Sequence, residues 1–245
     1  MKKFLTLQIW QLQQHNGVLT NCDAKACYDR VVPLLLYMCY NKAGLPHATC
    51  QWLKNCLTEM KYHKVTIHRI SERYSASTTT KPLYGIGQGA TDAPTGWHLV
   101  LTILSRYYNR KAIGSAIQDP TKQYHLHWKH VMFVDDTYLI HSSKDPTADL
   151  QNIEKIVEHN VTQWNTGLYI TGGKLEGNKS KYLILLWDYT PKGIPYLQVH
   201  DNTRNSVQLH LYNTPTEPLT RIRHNTHTSQ FKSLGTLQRR STWSS

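Results

Sequence analysis

Apolar residues recur along this chain with two periods, and the switches between them outline a succession of helices and short strands. Leu5, Ile9 and Leu12 lie on one face of a helix predicted over 3–14 and ended by Asn16-Gly17. A short strand is predicted over 18–23. Within 26–43, Val31, Leu35, Met38 and Cys39 form a buried helical face interrupted at Pro33, because proline lacks an N–H and clashes inside a helix. Pro46 opens a second helical stretch, 46–62, and the alternation of 64–70 reads as a strand before a Ser/Thr loop over 75–80. After a glycine-rich turn at 85–89, residues 97–108 have helical spacing, while 123–130 and 131–141 read as a hairpin or near-hairpin. Asp145-Pro146-Thr147 starts a helix over 147–164, with Leu150, Ile153, Ile156 and Val157 on one face. Between 167 and 212 glycine turns separate short strands such as 182–187 and 207–211, and beyond Asn213 polar residues displace apolar ones.

Composition narrows the classes. A chain of 245 residues with 40% hydrophobic composition can bury a sizeable core, which excludes disorder throughout. The longest uncharged apolar-leaning run, 31–40, contains Pro33 and falls well short of the roughly 20 residues a membrane span needs. The first residues imitate a signal peptide, but Gln8, Gln11, Gln13 and Gln14 break the apolar region and no small-residue cleavage site follows. They are read as helix, and the chain is expected inside the cell, nuclear or cytoplasmic, rather than secreted. Lys and Arg number 28 against 16 Asp and Glu, a net charge of +12, which favours a polyanionic partner, nucleic acid first; simple solubility is the alternative. Five cysteines, an odd number without CxxC spacing, suggest neither a disulfide framework nor a zinc ribbon, and fit a reducing compartment.

The sharpest chemical feature is Phe133-Val134-Asp135-Asp136-Thr137, two adjacent acids inside an apolar extended run. Buried unpaired carboxylates are costly, so such a pair sits at a solvated turn or is neutralised by a cation. Another acid, Asp23, ends the strand predicted at 18–23. Hard oxygen ligands from two strand ends suit Mg²⁺ or Mn²⁺, and two such ions about 3.5–4 Å apart would serve phosphoryl transfer. His125, His127 and His130 could be taken for a metal cluster, but His125 and His127 alternate with Tyr124, Leu126 and Trp128 as the polar face of a strand does, which disfavours zinc. No Walker A loop, HExxH or GxSxG motif occurs.

These residues carry a family resemblance. Asp23-Ala-Lys-Ala-Cys-Tyr28-Asp29 resembles motif A of retroelement reverse transcriptases, the run from Tyr84-Gly85-Ile86-Gly87-Gln88-Gly89 to Pro94 resembles motif B, and Phe133-Val134-Asp135-Asp136 resembles motif C. The stretch 164–179, with Thr171-Gly172-Gly173 and a closing lysine, looks like motif D. The resemblance spans 15–190 and is closest to eukaryotic retrotransposon enzymes rather than viral ones. It implies that Asp23 and Asp135 bind two Mg²⁺ ions (or Mn²⁺), with Asp136 as partner acid. It also implies that Tyr28 stacks under the incoming sugar and excludes a 2′-hydroxyl; without the motif, Tyr28 would read as a core aromatic. Gln88 and Gly89 would lie against the incoming nucleotide and template, where an ordinary strand-to-helix loop is the plainer reading. Lys179 would help protonate the pyrophosphate leaving group, or would be a surface lysine. Asp29 and Asp92 receive no metal role, since Asp29 favours the start of a helix.

The fold so implied is α+β: a right-hand polymerase palm over 1–190, its antiparallel sheet backed on one face by helices near 26–43, 92–110 and 147–164, with a partial fingers insertion at about 60–85. A small β appendage over 191–212 and a poorly ordered tail over 213–245 are expected to follow. The function implied is RNA-directed DNA polymerisation on a primed RNA or DNA template with deoxynucleoside triphosphates, without a membrane partner. Only a short stretch precedes Asp23, the tail does not look like a thumb, and Glu176 stands where many relatives carry a small polar residue. The chain is therefore expected to be a fragment or degenerate copy, and a catalytically inactive basic nucleic-acid-binding remnant is the competing expectation. Nucleotidyl cyclase chemistry on the same palm is a third, opposed by Tyr28 and the Gln88-Gly89 loop.

Overall fold

The structure, a computed structural model, describes residues 16–25, 27–78, 84–87, 90–118, 121, 123–133, 136–143, 150–197, 209–211, 220–224, 232–233 and 236–237. The helix expected over 3–14 lies outside them. In chain order the first elements are β1 (Gly17–Asp23), a 3-10 turn (Tyr28–Arg30), α1 (Pro33–Lys42), α2 (His47–Glu59), β2 (Lys61–Val65), β3 (Ile70–Ala76) and α3 (Ala93–Lys111). Then come β4 (Ser115–Gln118), β5 (His125–Trp128), β6 (His130–Phe133), β7 (Asp136–Ser142) and α4 (Leu150–Ile170). Short strands complete the list: β8 (Lys181–Leu185), β9 (Trp187–Tyr189), β10 (Pro195–Leu197), β11 (Leu209–Leu211), β12 (Thr220–His224), β13 (Lys232–Ser233) and β14 (Thr236–Leu237). The fold is α+β, and no helix among the described residues is long and apolar enough to cross a membrane.

The chain divides into two compact units. The first, Met1–Asp23, Lys111–Gln163 and Leu175–Ser245, is built on a six-stranded sheet of order β11-β12-β8-β1-β7-β6. Its pairings are antiparallel except that β12 runs parallel to β8, so the ranges 191–212 and 213–245 each lend the sheet a strand. Because side chains alternate across a strand, the β1–β7 register sorts residues onto two faces. One face carries the pairs Leu19↔Ile140, Asn21↔Tyr138 and Asp23↔Asp136, grading from an apolar cluster with Leu185 to carboxylates at the edge. Burial of each of those aliphatic side chains is worth roughly 1.5–3 kcal/mol.

The opposite face carries Val18↔His141, Thr20↔Leu139 and Cys22↔Thr137, all buried. There His141 shares a 3.0 Å hydrogen bond between Nε2 and Thr20 Oγ1, while Asn160 of α4 donates from Nδ2 to His141 Nδ1 at 2.9 Å. Asn160 also exchanges two hydrogen bonds with the backbone of Ile113, each 2.8 Å, so one amide ties the helix to the sheet and to the chain entering β4. Burial lowers His141 to about 3, keeping it neutral in this network.

The second unit, Ala24–Arg110 and Trp164–Lys174, is centred on α3, whose Ala93, Trp97, Val100, Leu101, Leu104 and Tyr108 fall on one face and are all buried. Tyr108 meets Trp164 edge to face, ring centroids 5.4 Å apart.

Several expected boundaries move for local reasons. Pro33 starts α1 rather than interrupting a longer helix, since at the first position its missing N–H leaves no intrahelical bond unmade. The alternating stretch 64–70 is the reversal of the β2–β3 hairpin: Thr66 Oγ1 accepts from the backbone N–H of His68 and Arg69 and folds the chain back, leaving Ile67 95% exposed. The runs 123–130 and 131–141 are not the two arms of one hairpin: β5 returns onto β4, and β6 pairs with β7, so the first run meets the second only at its end, through His130↔Leu139 and the Ile140 N–H bond to Lys129 O. Nor does α4 stop near 164. It continues through Gly167, where any Cβ would overlap Leu104 and Tyr107, to Ile170, and Gly172 just beyond it, with a φ of +92°, permits bonds from Gly172 N–H to Tyr169 O and Gly173 N–H to Leu168 O.

Candidate active site

Asp23 is the last residue of β1 and Asp136 the first of β7, and the register sets them directly opposite each other. Side chains so opposed leave the same face of the sheet with Cβ atoms about 4.5–5.5 Å apart, and two like charges in that position repel. The carboxylate of Asp23 is answered by Lys179, whose Nζ lies 3.8 Å from Oδ2. With the Asp23 side chain 32% exposed and that of Lys179 73% exposed, this is a solvated, displaceable pair rather than a buried salt bridge.

The backbone of Asp23 is held more tightly than its side chain. Its N–H donates to Ser180 Oγ at 3.1 Å, Ser180 Oγ donates in turn to Glu176 O at 2.9 Å, and Glu176 N–H donates to Asp23 O at 2.8 Å. This closed loop of three bonds fixes the strand end against the turn that carries Lys179. Behind the acids, Asn21 Nδ2 donates to Tyr138 Oη at 3.4 Å, and burial, aided by the charge of Asp136, pushes the Tyr138 phenol up to about 12. On the reverse face burial, then Asp23, raises the Cys22 thiol far above its usual range, so it stays protonated and inert.

The structure thus brings together Asp23, Asp136 and Lys179. Asp135, Gln88 and Gly89 lie outside the described residues. Tyr28 belongs to the second unit, where its ring meets that of Trp97 at 6.1 Å with a 55° tilt. Its segment is fastened to the turn ahead of Gln88: Ile86 N–H donates to Tyr28 O at 2.9 Å and Gly85 N–H to Val31 O at 2.8 Å. The distant motifs A and B of the sequence are therefore backbone neighbours.

A family model for reverse transcriptase (RNA-dependent DNA polymerase) matches residues 2–236 of the chain. The chain belongs to the reverse transcriptase family. No curated protein matches it significantly. The family is one of nucleotidyltransferases, RNA-directed DNA polymerases that act on a primed template with deoxynucleotides and generally use divalent metal ions.

Within this reverse transcriptase domain the donor set suits such an ion. The two opposed carboxylates are hard oxygen donors, and on the same face Asn21 Oδ1 is buried with no hydrogen-bond partner among the described residues. Asn21, Tyr138, Ser180 and Trp97 were not singled out by the sequence reading. Asn21 and Tyr138 carry a usable signal, since each stands two residues from an acid and so shares its face. Ser180 carries none, being joined to Asp23 only by a contact across 157 positions.

Proposed function

We propose that the chain performs template-directed DNA synthesis of the retrotransposon type on a polymerase palm, with Asp23, Asp135 and Asp136 holding two Mg²⁺ ions. The observation that carries this reading is the Asp23↔Asp136 pairing, with Lys179 beside it. A sheet that sets two carboxylates face to face at its edge is poised for a cation. The ions, when bound, supply activation of the primer 3′-hydroxyl and charge neutralisation at the leaving oxygen.

The chain's own residues do the rest. Asp23 and Asp136, their backbones fixed by sheet pairing, orient the ligand oxygens without reorganisation. Lys179, held to Asp23 only by a solvated pair, would be free to donate a proton to the departing pyrophosphate. Tyr28, braced by Trp97, stacks under the sugar and rejects a 2′-hydroxyl, while Gln88 and Gly89 lie against the nucleotide and template. The helix α4 behind the sheet, tied through Asn160 and His141, is the support expected of a palm.

Primer extension on an RNA template with Mg²⁺ and deoxynucleotides tests the reading. The expected result is incorporation that Asp135→Asn and Asp136→Asn each reduce by at least about 100-fold. Incorporation indifferent to both substitutions overturns the site. Absence of incorporation by the unsubstituted chain, with salt-sensitive nucleic-acid binding retained, assigns it instead to an inactive binding remnant.

A further inference from the structure

We propose that the β2–β3 hairpin is a binding surface for a single-stranded nucleic acid, with Lys64, Arg69 and Arg73 contacting its phosphates and Tyr62 presenting a ring to a base. The choice of nucleic acid over another polyanion rests on the function proposed above.

Residues 61–76 carry Lys61, Lys64, Arg69 and Arg73 against Glu72 alone, with His63 and His68 in addition. Every residue of β2 is exposed, and so are Arg69, Ile70, Glu72 and Arg73. Lys64, Arg69 and Arg73 line one concavity of about 420 Å³ together with Thr66, Ser71 and Glu72. None of these three cations is in an ion pair among the described residues. Such unpaired cations around one depression match a run of phosphates spaced along a strand.

The cations hang on an ordered frame. Ser71 Oγ donates to Arg73 O at 2.8 Å and accepts from Arg73 N–H at 3.1 Å, and Thr66 Oγ1 bonds the backbone of Arg69 on both its N–H and its carbonyl. Tyr62 pairs with the small Ser75, just before the register irregularity between His63 and Val65 that holds Lys64, and its ring is left exposed. Tyr74 is already engaged, by Lys61 Nζ 4.7 Å from its centroid and by His63 at 5.7 Å. A two-stranded hairpin standing this exposed is marginal alone, and a ligand spanning both strands would hold it.

Fluorescence anisotropy of the full chain with a labelled single-stranded RNA 20-mer, across a salt series and without nucleotides, tests this apart from turnover. The triple substitution Lys64→Gln, Arg69→Gln, Arg73→Gln is expected to weaken binding about tenfold or more and to lower the salt slope by about 2. Tyr62→Ala is expected to weaken it about tenfold at any salt. Because loss of binding can follow misfolding, Glu72→Lys provides the opposite sign: it should tighten binding about threefold and steepen the slope. Failure of polymerisation with these shifts intact would count against the catalytic reading and leave the hairpin assignment standing. Unchanged affinity and slope in the triple variant and in Glu72→Lys overturn the proposal. So does a change confined to the chain's mass by light scattering, which would make the hairpin a protein contact.

Discussion

The two hairpins β6–β7 and β2–β3 are both short, antiparallel and rich in β-branched and aromatic residues, yet they meet opposite fates. In β7 every residue from Thr137 to Ser142 is buried, whereas all of β2 is exposed. The difference is not in local propensity. β7 has strand neighbours on both sides and helix α4 against one face, while β2 and β3 have only each other as strand partners among the described residues. Burial is conferred by neighbours, and this molecule leaves its exposed hairpin basic and its buried one tipped with acid.

The largest effect separating them is packing. Leu139→Ala, at a position with no exposure, should cost about 3 kcal/mol in urea denaturation, and a cost under about 1 kcal/mol would show that β7 is not the buried strand described.

Next comes acid sensitivity. His141 is held at about 3 and His130, by burial and then Lys129, at about 4, whereas an unfolded histidine titrates near 6.5. Below that value the unfolded chain takes up protons that the folded chain refuses, so stability falls with falling pH, by up to about 1.4 kcal/mol per pH unit per histidine. Urea midpoints at about pH 7 and about pH 5 should show this fall, and His141→Gln should flatten it.

A smaller effect of opposite sign marks the acid edge. Asp136→Asn removes a like-charge opposition to Asp23 and should raise stability by about 0.5 kcal/mol while abolishing nucleotide incorporation. Lower stability in that variant would mean Asp136 is a structural acid. Smallest of all, Ile67→Thr at the exposed hairpin tip should change stability by less than about 0.5 kcal/mol, and a larger loss would show that the tip is covered in solution.

Much of the candidate site was legible because its chemistry is local. Asp23 at the close of a predicted strand and the pair Asp135-Asp136 inside an apolar run stand out as acids, and Tyr28 lies a fixed five positions beyond Asp23. What could not be read were the supports: Ser180 beneath Asp23 and Trp97 behind Tyr28 lie far away in sequence. The alternation at 64–70 misled because a hairpin tip and a strand share a period of two over so few residues. Gly167 misled because glycine signals a turn by its backbone freedom, but here it serves close packing inside a helix.

The sequence by itself determined a mixed α and β content, most element positions, the acids and the net positive charge, since periodicity, capping and motif spacing are short-range properties of the chain. Only the tertiary structure decided that β1 runs between β7 and β8, that Asp23 faces Asp136, and that one hairpin is enclosed while the other stands open. Strand order and register arise from contacts between residues more than a hundred positions apart, where the free energy depends on which faces are jointly removed from water, and no local pattern carries that information.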